Sequence, residues 1–431
     1  MPANQYLRAA AVAALAAVAA RGAAAQTVAI TGGTVYPVSG PKIENGTVLL
    51  RDGRVVAVGA NVTVPAGAQR VDATGKWVTP GLVNGATQIG VVDVGAVAET
   101  RDASARGQEN VSAAFRVWEG YNPRSVLIAP AREEGVTTIV VAPSGGLVAG
   151  QAAITDLDAP DAATHTLRGP VAMVAQLGST QGGGTTARGE LIGKMRELLL
   201  DARFYGRNRA GFERGDARKL TASRADLEAL QPVLTGRLPL LVAVDRASDI
   251  EATLDLAKEL GLRVMIAGGA EAWMVAPRLA AAKVPVLTGA MNNIPGSFAA
   301  LGTRQENAAL LRKAGVTVAI IGNAGGGDEE AFNVRNIRYE AGNAVAYGMS
   351  WDDALRAVTA APAELFGASD RIGTLQPGKV GNVVVWSGDP FEFSSRAERV
   401  FVGGRETSER SRQQMLEERY KTLPPRYDTP K

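Results

Sequence analysis

From Thr27 to Pro80 short apolar runs alternate with turn residues. Val48–Leu50 and Val55–Val58 flank Asp52-Gly53, a pair that favours a two-residue hairpin because both positions tolerate positive φ. Further turns are marked by Pro65, Gly67 and Gly75, ahead of Trp77-Val78-Thr79-Pro80-Gly81. Strands this short need a partner sheet to bury a face. From Gly81 onward, longer apolar runs alternate with helical stretches. The pattern predicts strands at Val83–Gly90, Val136–Ala142, Ala152–Leu157, Val171–Leu177, Leu240–Val244, Val264–Ala267, Val284–Thr288 and Val316–Ile321. Helices are expected over Asp249–Leu260, with Asp249 as N-cap and Gly261 as a left-handed stop, and over Glu271–Ala282. Eight β-then-α units of this kind predict a (β/α)8 TIM barrel.

Strand texture returns after a helical segment at Trp351–Gly367, in Gly373-Thr374-Leu375, Asn382–Trp386 and Val400–Val402. The two β-rich ends are therefore expected to pair as a small composite β-sandwich, giving an α/β fold. The expected organisation is residues 27–80 with 368–405 as the composite domain and 81–367 as the barrel. Residues 406–431 would form a C-terminal helix and tail, with Ser408–Thr422 amphipathic. At the other end, Met1–Arg8 is polar and carries one positive charge, Ala9–Ala20 is an unbroken apolar run, and Ala23-Ala24-Ala25 fits a small-residue cleavage site. Residues 1–25 are thus expected to be a signal peptide that directs the protein to the periplasm or outside the cell. No other stretch is long and apolar enough to span a bilayer, which takes about 20 residues.

Composition narrows the chemistry. Lysine and arginine number 46 against 43 aspartates and glutamates. Without Arg8 and Arg21 of the leader the bases fall to 44, so no long-range field would draw the chain to nucleic acid or anionic lipid. There is no cysteine, which excludes disulfides, thiolate ligands and cysteine nucleophiles. There is one histidine, His165, on an expected loop.

The segment Val28 to Asn84, with "VAITGGTVYPVSG" and "VDATGKWVTPGLVN", resembles the N-terminal sheet and first barrel strand of the amidohydrolase superfamily. "EEGVTTIVVAPSGG" (Glu133 to Gly146), "WDDALRAVTAAPAELFG" (Trp351 to Gly367) and "RIGTLQPGKVGNVVVWSGDP" (Arg371 to Pro390) are similar to its imidazolonepropionase-like and prolidase-like branch. The resemblance implies a divalent metal at the C-terminal ends of the barrel strands, held by a His-x-His pair, two further histidines and an aspartate. Such an ion lowers the pKa of bound water to about 7, so that hydroxide attacks an amide or related bond.

Carried onto this chain, the His-x-His positions hold Ala86 and Gln88, the strand-five histidine is Ala243, the strand-six histidine is Gly268, and the aspartate is Asn323. None of these can do the ligand's work, and one histidine cannot supply three or four imidazoles. Neither a metal nor any other cofactor is therefore expected, and no catalytic residue is assigned. The family's usual Asp is also replaced by Asn84 and by Asn382. Acids near the expected strand ends (Asp93, Glu99, Asp102, Asp245, Asp328, Glu329, Glu330) follow no ligand spacing. Ser144 would need a base, and His165 is the single imidazole available.

The leading expectation is a catalytically silent exported member of the family that partners an active amidohydrolase as a hetero-oligomer, or that self-associates. Two alternatives stand beside it. One is a binder of a polar small molecule at the barrel mouth through Gln88, Asp245, Arg246 and Asn323. The other is an active hydrolase of amide or cyclic-amide C–N bonds with a non-standard site.

Overall fold

The computed structural model describes residues 27–157, 168–178, 180–181, 184–185, 187–214, 218–291, 295–322, 331, 333–407 and 410–422. The expected signal peptide, His165, Asn323, Asp328, Glu329, Glu330 and the glycines 182, 183 and 325–327 lie outside these residues.

Five strands open the chain: β1 (Thr27–Val35), β2 (Ile43–Arg51), β3 (Arg54–Gly59), β4 (Gln69–Asp72) and β5 (Trp77–Pro80). The β2–β3 hairpin turns at Asp52 and Gly53, whose φ angles of 51° and 78° are the left-handed pair that the sequence favours there. The barrel follows as β6 (Leu82–Thr87), β7 (Val136–Val141), β8 (Val148–Asp156) and β9 (Arg168–Gln176). After the short pair β10 (Thr180–Gln181) and β11 (Gly184–Thr185) come β12 (Leu240–Val244), β13 (Val264–Gly268), β14 (Val286–Thr288) and β15 (Val318–Ile320). The chain closes with β16 (Val383–Trp386), β17 (Ala397–Val402) and β18 (Arg405–Glu406).

The barrel strands lie in the order β15-β14-β13-β12-β9-β8-β7-β6, and β6 and β15 face each other across the seam without a hydrogen-bonded ladder. All eight expected strands are present, but not in eight βα units. β8 runs antiparallel to both β7 and β9. Residues 142–147 are all that join β7 to β8, and a parallel crossover needs a dozen residues or more, so the connection can only be a hairpin. Inside the barrel, Val83, Val140, Val174, Leu241, Met265, Leu287 and Ala319 form one buried cluster, while the alternate side chains pack outward against the helices.

Both chain ends contribute to the second sheet, in the order β18-β17-β16-β5-β1-β2-β3. β1 is shared: its first half pairs with β4 and its second half with β5, so the sheet bends around a core of Val28, Ile30, Val48, Leu50, Val385 and Phe401. Sheet and barrel are tied by buried polar and aromatic contacts. The Trp386 indole N–H donates to Thr79 Oγ1 (2.9 Å). Arg338, 2% exposed, donates to Glu134 (2.6 Å) and to the carbonyls of Pro390 and Glu392 (3.1 Å each). Trp351 packs on Tyr36 at 4.6 Å and donates to Asp389.

Helix boundaries depart from the sequence pattern in one instructive place. The helix Ala247–Leu260 is capped at Arg246, not at Asp249. Asp249 lies in its first turn, 7% exposed, and accepts from Arg188 Nε at 2.8 Å. A carboxylate there still favours the helix N-terminus, but an ion pair with another helix set its position. Gly261 ends the helix at φ 67°, as expected. Among the described residues no helix is long and apolar enough to cross a membrane.

Candidate functional site

The ends of β6, β12, β13 and β14 converge where a barrel of this type works. β12 and β13 are parallel, with Ala243 level with Ala267 and Val244 level with Gly268. Ala86 and Ala267 are partly buried and pack against the barrel interior, so methyl groups line this part of the mouth. Gln88, two residues beyond Ala86, is 8% exposed, and its carbonyl caps the following turn by accepting from Val91 (3.0 Å) and Val92 (2.9 Å). Arg246 is exposed at the start of its helix and is turned to solvent.

Asp245 is half-buried, directly after β12. Its Oδ1 accepts from the Ala270 N–H (3.2 Å), and burial pushes its pKa above the usual carboxylate value, with the nearby Glu271 adding to the rise. Gly268 has φ 84°, and a Cβ there would stand 2.6 Å from Asp245 Oδ1. A side chain at position 268 would thus collide with the carboxylate, and its backbone would be strained.

The loops around this point are held by buried acids that face backbone amides. Glu271, 8% exposed, accepts from Ala247 N–H and Gly302 N–H, both at 2.9 Å. Asn307 accepts from Trp273 N–H (3.1 Å) and donates to the Gly269 carbonyl (3.0 Å). Glu340, 5% exposed, accepts from the Ala290 N–H and from the Met291 N–H (2.6 Å), and burial raises its pKa. These residues were not singled out in the sequence. An acid two residues past the Gly268-Gly269 pair was the available hint for Glu271, and nothing local marked Glu340.

Among the described residues the donor chemistry does not fit a catalytic divalent ion. Among the described residues no three acidic or imidazole side chains converge. The buried Asn84 accepts from Ala86 N–H (3.1 Å) and presents an amide N–H2, which a cation would repel. Of the acids considered from sequence, Asp93 is engaged by Ser125, and Glu99 and Asp102 are exposed. Ser144 lies on the short loop that joins β7 to β8. Among the described residues, a crevice of about 30 Å³ is bordered by Asp245, Gly268, Thr288, Thr303, Arg304 and Asn307. That is room for a water or two, against several hundred Å³ for a substrate pocket. Neither Gln88 nor Arg246 borders it.

Residues 251–407 match the model of the Amidohydrolase family. An imidazolonepropionase of Mesorhizobium japonicum is 23% identical over 386 residues, 80% of this chain and 87% of that protein. A shorter stretch of 77 residues is 31% identical to an amidohydrolase of Hapsidospora irregularis, so that 18% of this chain covers only 8% of that relative's length. Among solved structures, an amidohydrolase from Thermotoga maritima MSB8 superposes with a TM-score of 0.79 at 26% identity, covering 89% of this chain and all of the other.

Proposed function

The chain belongs to the amidohydrolase superfamily; because the positions to which the sequence resemblance assigns the metal ligands carry Ala86, Gln88, Ala243 and Gly268, we propose that it is a catalytically silent member that partners an active relative. The observation that carries this reading is the filled position at Gly268. Loss of a histidine alone would leave a hole, whereas here the Asp245 carboxylate lies 2.6 Å from the point where a side chain would begin. The buried acids Glu271 and Glu340, which accept from backbone amides of the surrounding loops, support a mouth organised without an ion.

A partnering role is supported by the C-terminal helix Arg412–Tyr420. None of its residues is buried, and Met415 and Tyr420 are 53% and 50% exposed. It is anchored at one end, where Ser411 N–H donates to Glu133 (3.1 Å), so the exposed helix stands on a fixed base. The proposed setting is the periplasm or the outside of the cell, with residues 1–25 as the leader.

Two measurements test the proposal. Elemental analysis after incubation with zinc, manganese or nickel and dialysis is expected to find well under one ion per chain; stoichiometric metal would overturn it. Native co-purification from the exporting cell should recover a metal-bearing amidohydrolase with this chain. Recovery of the homomer alone would refute the partnering role while leaving the silent site standing.

A further inference from the structure

A cavity of about 320 Å³ lies beside this barrel, lined by none of the residues that border the crevice at Asp245. It lies between the turn Gln108–Val111 and the helix Arg188–Arg207, with Val111, Leu147, Leu198 and Leu220 as an apolar floor, each no more than 6% exposed. Around this floor stand exposed groups of both signs. Glu109 and Glu197 are the acids and Lys219 is a base, with Lys194 and Arg218 nearby. Lys194 is engaged by Glu190 (2.7 Å) and Arg218 by Asp201, which leaves Lys219 as the cation best placed for a ligand.

Both walls are built rather than incidental. Asp201, fully buried on the helix, holds the strap 218–221 by accepting from Arg218 and from the Thr221 N–H (2.8 Å). That buried carboxylate fixes the backbone carrying Lys219 and Leu220. Across the cavity, the Asn110 carbonyl accepts from the Leu147 and Val148 N–H groups at 2.8 and 3.3 Å, which pins the turn to the start of β8. Within that turn Glu109 and Asn110 have φ of 52° and 62°. Asparagine adopts this conformation readily, but glutamate does so at a cost, and such cost is found where the surroundings over-determine a functional conformation.

We propose that this cavity binds a small dipolar ligand with an apolar body, of the size and chemistry of an L-dipeptide with free ends. The floor takes the side chains, Glu109 and Glu197 face the ammonium, and Lys219 faces the carboxylate. Acids and a base around one cavity would favour a ligand carrying both charges, and would disfavour one with either end capped. The site shares no lining residue with the crevice at Asp245 and does not depend on the silent-subunit reading.

The test is isothermal titration of the full chain with Ala-Leu, Leu-Leu and Val-Phe, alongside their N-acetyl and C-amide forms. Saturable binding is expected for the free dipeptides, with capping of either end weakening it by about tenfold or more, the scale of one lost charge-assisted contact. Glu197→Lys and Lys219→Glu change exposed residues and should leave thermal stability near wild type while weakening binding by a similar factor. Glu109→Gly should weaken binding and raise the melting temperature slightly by relieving the left-handed glutamate. Asp245→Ala, at the mouth, should not alter the affinity. No saturable binding up to roughly 10 mM, which corresponds to less than about 3 kcal/mol, would overturn the proposal. So would equal affinity for capped and free ligands, or indifference to the Glu197 and Lys219 variants.

Discussion

Replacing Gly268 by alanine asks directly whether the mouth has closed over the lost ligand. Alanine at φ 84° costs about 1–2 kcal/mol in backbone strain alone. Its Cβ would also stand 2.6 Å from Asp245 Oδ1, too close for any non-bonded pair, so the carboxylate must move. Moving it loosens the 3.2 Å hydrogen bond from Ala270 N–H. A bond to a charged group is worth about 1.5–3 kcal/mol, but Asp245 is only half-buried and water recovers part of that, so about 1 kcal/mol is the fair share. The expected loss is therefore about 2–3 kcal/mol, measured as a fall in the urea midpoint at pH 7 with unchanged slope. In an Asp245→Ala background the collision is gone and the strain stays, so Gly268→Ala should then cost about 1–2 kcal/mol, a coupling near 1 kcal/mol. A cost below about 0.5 kcal/mol in the wild-type background, or the same cost in both, would refute the claim that Asp245 fills the ligand's space.

Three further outcomes follow from the same packing. Arg338→Met leaves the Glu134 carboxylate and two carbonyls without their donor; with Glu134 partly exposed, a loss of about 2–4 kcal/mol is expected by denaturant titration. Glu340 has its pKa raised, by burial above all, so its stabilising contribution is complete below the unfolded carboxylate pKa near 4 and is lost as pH rises through the higher folded value. Glu340→Gln keeps an oxygen facing Ala290 and Met291 and should flatten that decline above the unfolded carboxylate pKa; an unchanged slope would count against burial as the cause. Asn382→Ala removes a buried amide that donates to Thr138 Oγ1 and Asp156 Oδ1 and accepts from Gly403 N–H, and should lower the melting temperature by several degrees in thermal unfolding.

The candidate site was legible in part. Counting one histidine in the whole sequence was enough to remove a multi-imidazole centre, because that argument needs no coordinates. The replacement at Gly268 was visible as an absence, but not as a filled space, since Asp245 reaches it only through the parallel pairing of β12 with β13. Gln88 and Asp245 looked like partners in one pocket from sequence. In the fold the crevice at Asp245 is bordered by Thr288, Arg304 and Asn307 instead, which follow other strands.

Local pattern alone determined the eight barrel strands and the Asp52-Gly53 hairpin, because apolar periodicity and turn residues act within a few positions of one another. Tertiary structure decided the rest. β8 is antiparallel because residues 142–147 are too short for a crossover, Asp249 left its capping role for an ion pair with Arg188, and the 320 Å³ cavity forms where segments more than a hundred residues apart in the chain meet. The physical reason is common to all three: orientation, ion pairing and cavity shape depend on which distant segments pack together, and the sequence of any one segment does not contain that.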